Sequence, residues 1–260
     1  MTNKLLALFI LTSFIANAQL NIDSLNQNNA FKVGEKLIYT VKYGLIKGGE
    51  ASLTLDLYKS PGDNYYYHAK AIAYTTGLAA AIATIYDIYE SYFDLQSGLP
   101  SHAIRNIREN HYIYYNEVFF FQDSGFVYSV NKGKIKTPKH ILDILSAFYF
   151  ARRFLFHKTL KKNQIIYLPT YFEDRLYPLK IKFKKKETIR TKFGKIKCLK
   201  FVPVIEVDNP FKKEDDLRIW FSDDGNYIPV KIRMKSKIGV FKADLISFSD
   251  LKNPLGIKHK

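Results

Sequence analysis

TPKHILDILSAFYFARRFLF, residues 137–156, is the stretch on which the fold turns. Thr137 can cap a helix, Pro138 suits a first turn, and an apolar run covers Ile141 to Phe156. The predicted helix is therefore Pro138 to Phe156. Apolar groups occupy nearly its whole circumference, so it is expected to be largely buried. Asp143, Ser146, Phe150 and Arg153 follow one another at spacings of 3, 4 and 3 residues, which sets them on one stripe. Arg152 falls on a different side.

Strand patterns dominate on both flanks. Upstream, Lys36 to Tyr43 and Ala51 to Tyr58 alternate polar and apolar residues around a turn marked by Gly44, Gly48 and Gly49. Further strands are predicted at Tyr65 to Tyr74, Tyr86 to Leu95, Ser101 to Arg108, His111 to Gln122 and Phe126 to Val130. The small-residue piece Gly77 to Ile85 reads as a brief helix or a loop. Downstream, strands are predicted at Gln164 to Tyr171, Leu176 to Lys186, Lys195 to Val207, Leu217 to Phe221, Tyr227 to Met234 and Val240 to Phe248. Asp223-Asp224-Gly225-Asn226 makes a tight turn among them. One buried helix among so many strands predicts a mainly β fold: a curved antiparallel sheet, like a half-open β-barrel, wrapped around one α-helix.

The chain begins as a secretory signal peptide does. Lys4 supplies a positive start, Leu5 to Ile15 form an apolar run, and Ala16-Asn17-Ala18 is a small-x-small cleavage site. That run is too short to span a bilayer, which takes about 20 residues. No cysteine follows it, so the lipoprotein route is excluded. Residues 1–18 are thus the expected signal, 19–30 a disordered Asn/Gln/Ser-rich lead-in, 31–250 a single β-rich domain and 251–260 a C-terminal tail. All-β domains commonly run to about 200–250 residues. The expected location is the periplasm, as a soluble protein.

Composition narrows the classes of function. Hydrophobic residues make up 47% of the chain and aromatics 15%, enough for a large core and too apolar for disorder. The single cysteine, Cys198, sits in an alternating strand run and reads as a small buried hydrophobe; no internal disulfide is available. The formal charge of +16 would suggest nucleic acid in a cytosolic protein. Export redirects it to anionic envelope material such as lipid headgroups or acidic glycans. Charge is densest from Lys180 to Lys200, where Lys180, Lys182 and Lys184 alternate with Leu179, Ile181 and Phe183, and Lys195 and Lys197 flank Ile196. These five lysines are the candidates for a membrane-facing basic surface, or else form a solvated face that guards a sheet edge.

Motifs for catalysis are missing. The six histidines show no metal-ligand spacing, no Gly-x-Ser-x-Gly elbow occurs, and no phosphate-binding glycine loop precedes a helix. The pairs Glu173-Asp174, Asp215-Asp216 and Asp223-Asp224 fall at turns. Neighbouring strand residues also point to opposite faces, so none of the pairs suits two-carboxylate chemistry across about 5–10 Å. No catalytic residue, metal or cofactor is expected. The aromatic clusters at 65–67, 112–115 and 119–121 must populate both faces of their strands, and a cavity lined by them would suit an acyl chain.

Four segments together resemble an exported bacterial family, domain of unknown function 3108. They are Gly34-Glu35-Lys36-Leu37-Ile38-Tyr39 with Gly48-Gly49-Glu50-Ala51; Asp143 to Tyr149 with Arg152 or Arg153; Thr191 to Cys198; and Ile219-Trp220-Phe221-Ser222-Asp223-Asp224 leading to Ile228-Pro229-Val230. The resemblance runs from about Val33 to Leu245 and implies an envelope protein with no assigned reaction. The Trp220 hairpin is also similar to one in the lipoprotein-localisation factor superfamily, which implies a half-open barrel over an acyl-chain cavity. This chain departs from that pattern in offering one convincing helix.

The expectation that follows is a periplasmic, non-enzymatic binding or carrier protein for a lipid or lipid-linked ligand. Asp143, Ser146, Phe150 and Arg153 are the ligand-binding candidates, and the basic face works near a membrane. The alternatives are an envelope assembly module that meets a protein partner and holds no small ligand, and, behind it, an envelope hydrolase. Nucleic acid is not an expected partner, and the sequence leaves the oligomeric state open.

Overall fold

A computed structural model describes residues 28–204, 216–236 and 239–258. The expected signal peptide and most of the lead-in therefore lie outside the described residues, as do Asp215 and the last part of the strand predicted to reach Val207.

In chain order the elements are β1 (Lys36–Tyr43), β2 (Ile46–Lys59), β3 (Tyr65–Thr75), the short α1 (Gly77–Ile82), β4 (Tyr86–Asp94), β5 (Pro100–Glu109), β6 (Tyr112–Phe121), β7 (Phe126–Ser129) and β8 (Gly133–Lys136). Next come α2 (Ile144–Phe154), β9 (Ile165–Leu168), β10 (Tyr171–Phe172) and β11 (Arg175–Leu176). The chain continues through β12 (Leu179–Thr191), β13 (Gly194–Pro203), β14 (Leu217–Ser222), β15 (Pro229–Ser236), β16 (Gly239–Ser249) and β17 (Ile257–Lys258). One antiparallel sheet runs β8-β7-β6-β5-β4-β3-β2-β1-β16-β15-β14-β13-β12-β9, with β17 added to β13. Among the described residues its two ends, β8 and β9, do not pair, so the sheet curls without closing. The mainly β expectation holds.

The helix bridges the two halves of the sheet. Tyr149 packs in a cluster with Leu37, Leu55, Ala69 and Phe93, while Phe150 and Phe154 pack with Leu168, Phe183 and Phe201. Eight of its residues are buried, from Ser146 to Phe154. It starts later than the sequence suggests, at Ile144 and not Pro138. Asp143 is the N-cap: its carboxylate accepts from the Leu145 and Ser146 amides, and Ser146 Oγ accepts from the Asp143 amide. That capping box is complete, which leaves Thr137 no such role. His140, at φ +60°, breaks any helical approach, and Leu142 forms a parallel bridge with Thr170.

Other boundaries moved for similar local reasons. Pro169 splits the predicted strand 164–171 into β9 and β10. Tyr227, at φ +51°, prolongs the preceding turn, so β15 begins at Pro229. The pattern offered no warning of β8, a four-residue edge strand. Order reaches into both expected tails: Ala30 is buried, and Leu251, Leu255 and Ile257 pack against the core.

At the centre stands a buried ion pair. Arg152, fully excluded from solvent, donates from Nη1 and Nη2 to the two carboxylate oxygens of Glu35 at 2.6 and 2.7 Å. Its Nε donates to the Asn226 carbonyl at 2.8 Å and Nη2 also to the Ala30 carbonyl at 3.1 Å. The rings of Phe31, Phe148 and Tyr149 surround the guanidinium at 5.1–5.3 Å. Burial alone would lower the pKa of Arg152, but the charge and hydrogen bonds of Glu35 outweigh it and leave the pKa raised. Burial, reinforced by Glu35, pushes the Tyr39 and Tyr149 hydroxyls above their ordinary range. Removing one member of such a pair strands the other: Arg152→Met or Glu35→Gln should each cost about 3–5 kcal/mol. Urea unfolding of the double variant Glu35→Leu/Arg152→Met should show a loss well below the sum of the two single losses.

Candidate functional site

The four ligand-binding candidates on α2 do not converge. Asp143 and Ser146 meet in the cap, and Asp143 Oδ2 accepts from the Ser91 hydroxyl at 2.6 Å. Burial raises the pKa of Asp143, with these hydrogen bonds opposing it. Phe150 lies two turns away in the core, its ring 4.6 Å from that of Phe154. Both rings lie against Gly98, whose φ of +70° serves the turn between β4 and β5. Arg153 donates to the Leu95 carbonyl of that same turn at 2.8 Å and covers the Phe154 ring; burial lowers its pKa. Of the four, Asp143 borders the cavity at the N-terminus of α2.

That cavity lies among β4, β5, β6, the N-terminus of α2 and the β10–β11 hairpin. Arg105 crosses it, with its guanidinium 4.9 Å from the Tyr114 ring and 5.1 Å from the Phe172 ring, and with Nη2 donating to Glu173 at 3.3 Å. The hairpin is pinned from beneath. Asp174 accepts from Tyr114, Asn116 and Ser129 at 2.6, 2.6 and 2.8 Å, and both Glu173 and Asp174 adopt positive φ. The volume is about 50 Å3. A water needs about 10–15 Å3 of such space and a drug-sized ligand about 300 Å3 or more, so this cavity has room for water and none for an acyl chain.

The acidic pairs that lie wholly among the described residues, Glu173-Asp174 and Asp223-Asp224, behave as turn chemistry. Glu173 and Asp174 are engaged as above, and Asp224 accepts from the Ser222 hydroxyl and from the amides of Asn226 and Gly256. Cys198 is buried, and desolvation pushes its thiol up to about 12. Among the described residues no three histidine, cysteine, aspartate or glutamate side chains are placed to hold a metal.

The five basic candidates are divided. Lys182 stands opposite Val202 on β13, and Lys180 opposite Tyr167 on β9. Lys195 and Lys197 lie on β13, where successive residues alternate faces, so they point away from the face that Val202 shares with Lys182. Lys184 sits at a bulge in β12.

Register assembles a different basic surface. Lys47, Lys42, Lys242, Arg233 and Arg218 stand directly opposite one another across β2, β1, β16, β15 and β14, one residue per strand. Two residues along the same face runs the row Thr40, Asp244, Lys231, Trp220, Lys200 and Lys185. Cross-strand partners share a face, and like charges set opposite are destabilising on their own. Some are balanced: Glu50 holds Lys47 at 2.6 Å, and Asp244 lies 3.3 Å from Lys231 and 3.9 Å from Lys42. Lys200 rests over the Trp220 ring, whose Nε1 donates to Glu187 at 2.6 Å. Each cation of the ladder is a single residue in an alternating strand, and only the pairing register lines them up.

The family profile described as "Protein of unknown function (DUF3108)" matches residues 38–246. Among solved structures, a beta-barrel-like protein of domain of unknown function DUF1849 from Brucella abortus superimposes with a TM-score of 0.54 at 10% identity, covering 85% of this chain and 99% of that one. A DUF1089 family protein from Pseudomonas aeruginosa gives 0.40 at 8% identity, covering 69% and 87%. At such identities the Brucella protein shows a common fold and nothing of function. No curated protein matches. The likeness of the Trp220 hairpin to the lipoprotein-localisation superfamily is not among these findings.

Two outcomes are expected from the site. Asp143→Asn keeps an acceptor for the cap and should cost less than Asp143→Ala, which forfeits about 1 kcal/mol of capping and leaves Ser91 unpartnered. Because burial raises Asp143, the unfolded chain releases this proton first, so this group makes stability fall as pH rises from the ordinary carboxylate value to the raised one. Urea unfolding across acid pH should show that contribution lost in Asp143→Asn. The Cys198 thiol, for its part, should stay unreactive towards thiol reagents at mildly alkaline pH until the protein is unfolded.

Proposed function

The chain belongs to the DUF3108 family of proteins of unknown function, and from that premise we propose that it is a non-enzymatic binding protein of the bacterial envelope. It is exported to the periplasm and works from a face of its sheet, docking on an anionic lipid surface. The observation that carries this reading is the ladder Lys47–Lys42–Lys242–Arg233–Arg218, together with Lys231 and Lys200 in the next row. A stack of opposed cations is costly in isolation and becomes favourable against an anionic plane. Each cation near the headgroups contributes roughly 1 kcal/mol before screening, over a Debye length of about 8 Å at physiological salt.

The size of the cavity beneath the β10–β11 hairpin supports the outside as the working surface. An acyl-chain carrier needs several times the roughly 50 Å3 found beneath the β10–β11 hairpin. The family and its structural neighbour name no reaction. The four carboxylates that line the cavity are engaged: Glu90 by His68 and Lys70, Asp143 by Ser91 and the cap amides, Glu173 by Arg105, and Asp174 by Tyr114, Asn116 and Ser129.

Vesicle flotation of the chain lacking residues 1–18 tests the proposal. It should float with phosphatidylglycerol vesicles and not with phosphatidylcholine ones, and salt should release it. Arg233→Glu/Lys242→Glu should weaken flotation by roughly tenfold or more, from the loss of about 1 kcal/mol per cation. The control Lys134→Glu/Lys136→Glu, on β8 at the far end of the sheet, should weaken it less. Organic extraction of the gently purified protein should yield no stoichiometric lipid. Failure to float with any anionic vesicle would sink the docking reading and favour a protein partner.

A further inference from the structure

Resting on that docking reading, we infer that the face contains one specific subsite: a groove under the tip of the β12–β13 hairpin that seats the phosphate of a lipid headgroup. The groove has a volume of about 240 Å3. Its floor is sheet, with Thr40 and Lys42 from β1, Lys231 from β15 and Asp244 from β16. Its overhang is the hairpin tip, which brings Arg190 and Lys192 across from a distant strand. The sheet order separates β12 from β1 by four strands, so only this overhang joins the two sets of cations.

The tip is held in place. The Phe193 ring meets that of Phe248 edge-on at 5.1 Å, which seats the tip on β16. Thr191 Oγ1 donates to the Gly194 carbonyl at 2.9 Å and accepts from the Phe193 amide at 3.1 Å, closing the turn. Two cations on a fixed overhang thus face two cations on the floor.

Charge and shape both select the ligand. Four cations border the groove against one carboxylate, Asp244, which is already shared between Lys231 at 3.3 Å and Lys42 at 3.9 Å. Asp244 spaces those two ammonium groups, and the surplus positive charge is left for an anion. A concave site lined by one sign of charge focuses potential, and a guanidinium offers phosphate a planar two-pronged donor that the lysines supplement as point charges. The volume admits a phosphate with its adjoining glycerol and no acyl chain. A monoester, carrying close to two charges, gains more from this surplus than a diester does.

The test compares flotation with vesicles of equal surface charge that carry either phosphatidic acid or oleate in phosphatidylcholine. Unmodified protein should bind phosphatidic acid vesicles at least tenfold more tightly. Arg190→Gln/Lys192→Gln should abolish that preference, while binding to phosphatidylglycerol vesicles falls only by the roughly tenfold that two lost cations cost. Lys134→Gln/Lys136→Gln, which removes the same charge on β8 at the far end of the sheet, should keep the preference. Both variants change exposed positions, and circular dichroism melts confirm their fold. Equal binding to phosphatidic acid and oleate would overturn the groove and leave the docking face standing. So would a loss in the groove variant no larger than in the control. Binding to neither vesicle would bring down the docking reading along with the groove. Binding of inorganic pyrophosphate without vesicles, at the affinity seen for phosphatidic acid, would overturn the assignment to a lipid.

Discussion

Three distant parts of this chain meet at one guanidinium. Arg152 sits on α2, Glu35 immediately before β1, and the Asn226 carbonyl in the turn that leads into β15. Its contact with the Ala30 carbonyl brings in the segment ahead of β1 as well. A charge withdrawn wholly from water is tolerable only when its donors find partners. The helix can therefore occupy only the position at which the pre-β1 segment and the β14–β15 turn both present acceptors. The pair is better described as a specifier of that position than as a source of stability, since a well-packed apolar replacement of both members could hold the core equally well.

An open sheet makes such a specifier necessary. A closed barrel fixes its own radius through its register, whereas this sheet ends at β8 on one side and β9 on the other. Its curvature has to be set from within. The helix does this by packing Tyr149 against the strands around β1–β4 and Phe150 and Phe154 against those around β9–β14. The β10–β11 hairpin then ties the region of the gap to β6 and β7, with Asp174 accepting from Asn116 and Ser129. The fold is thus fastened at two points by carboxylates, one charged against arginine and one bound to neutral donors.

What the sequence revealed follows from the range of the physics involved. Strands were legible because alternation is local, and β1 came out with its observed ends. The helix was legible as an apolar run, but its start was not. Thr137-Pro138 mimics a helix entry, while the operative cap is the box that Asp143 makes with Ser146. The burial of Cys198 and the turn roles of the pairs Glu173-Asp174 and Asp223-Asp224 were likewise local and came out correctly. Long-range pairing was not legible. Arg152 fell off the stripe of interest, and its partner is 117 residues away. The lysine cluster from 180 to 200 drew attention by density, yet pleating sends Lys182 and Lys197 to different faces. The ladder through Lys242 and Arg233 has no local density at all, because each strand contributes one rung.

That contrast bears on how such a protein comes to act. A buried ion pair and three hydrophobic clusters constrain the residues of the core. The outer positions of the strands are under no such constraint, and register turns single substitutions on successive strands into one continuous surface. Cations placed that way cost cross-strand repulsion, which a partner of opposite charge reverses. An array of rungs keeps its spacing only while the sheet beneath keeps its curvature. The buried arginine and the exposed ladder are then parts of one arrangement. The first sets the shape of the sheet, and the second takes the spacing of its rungs from that shape.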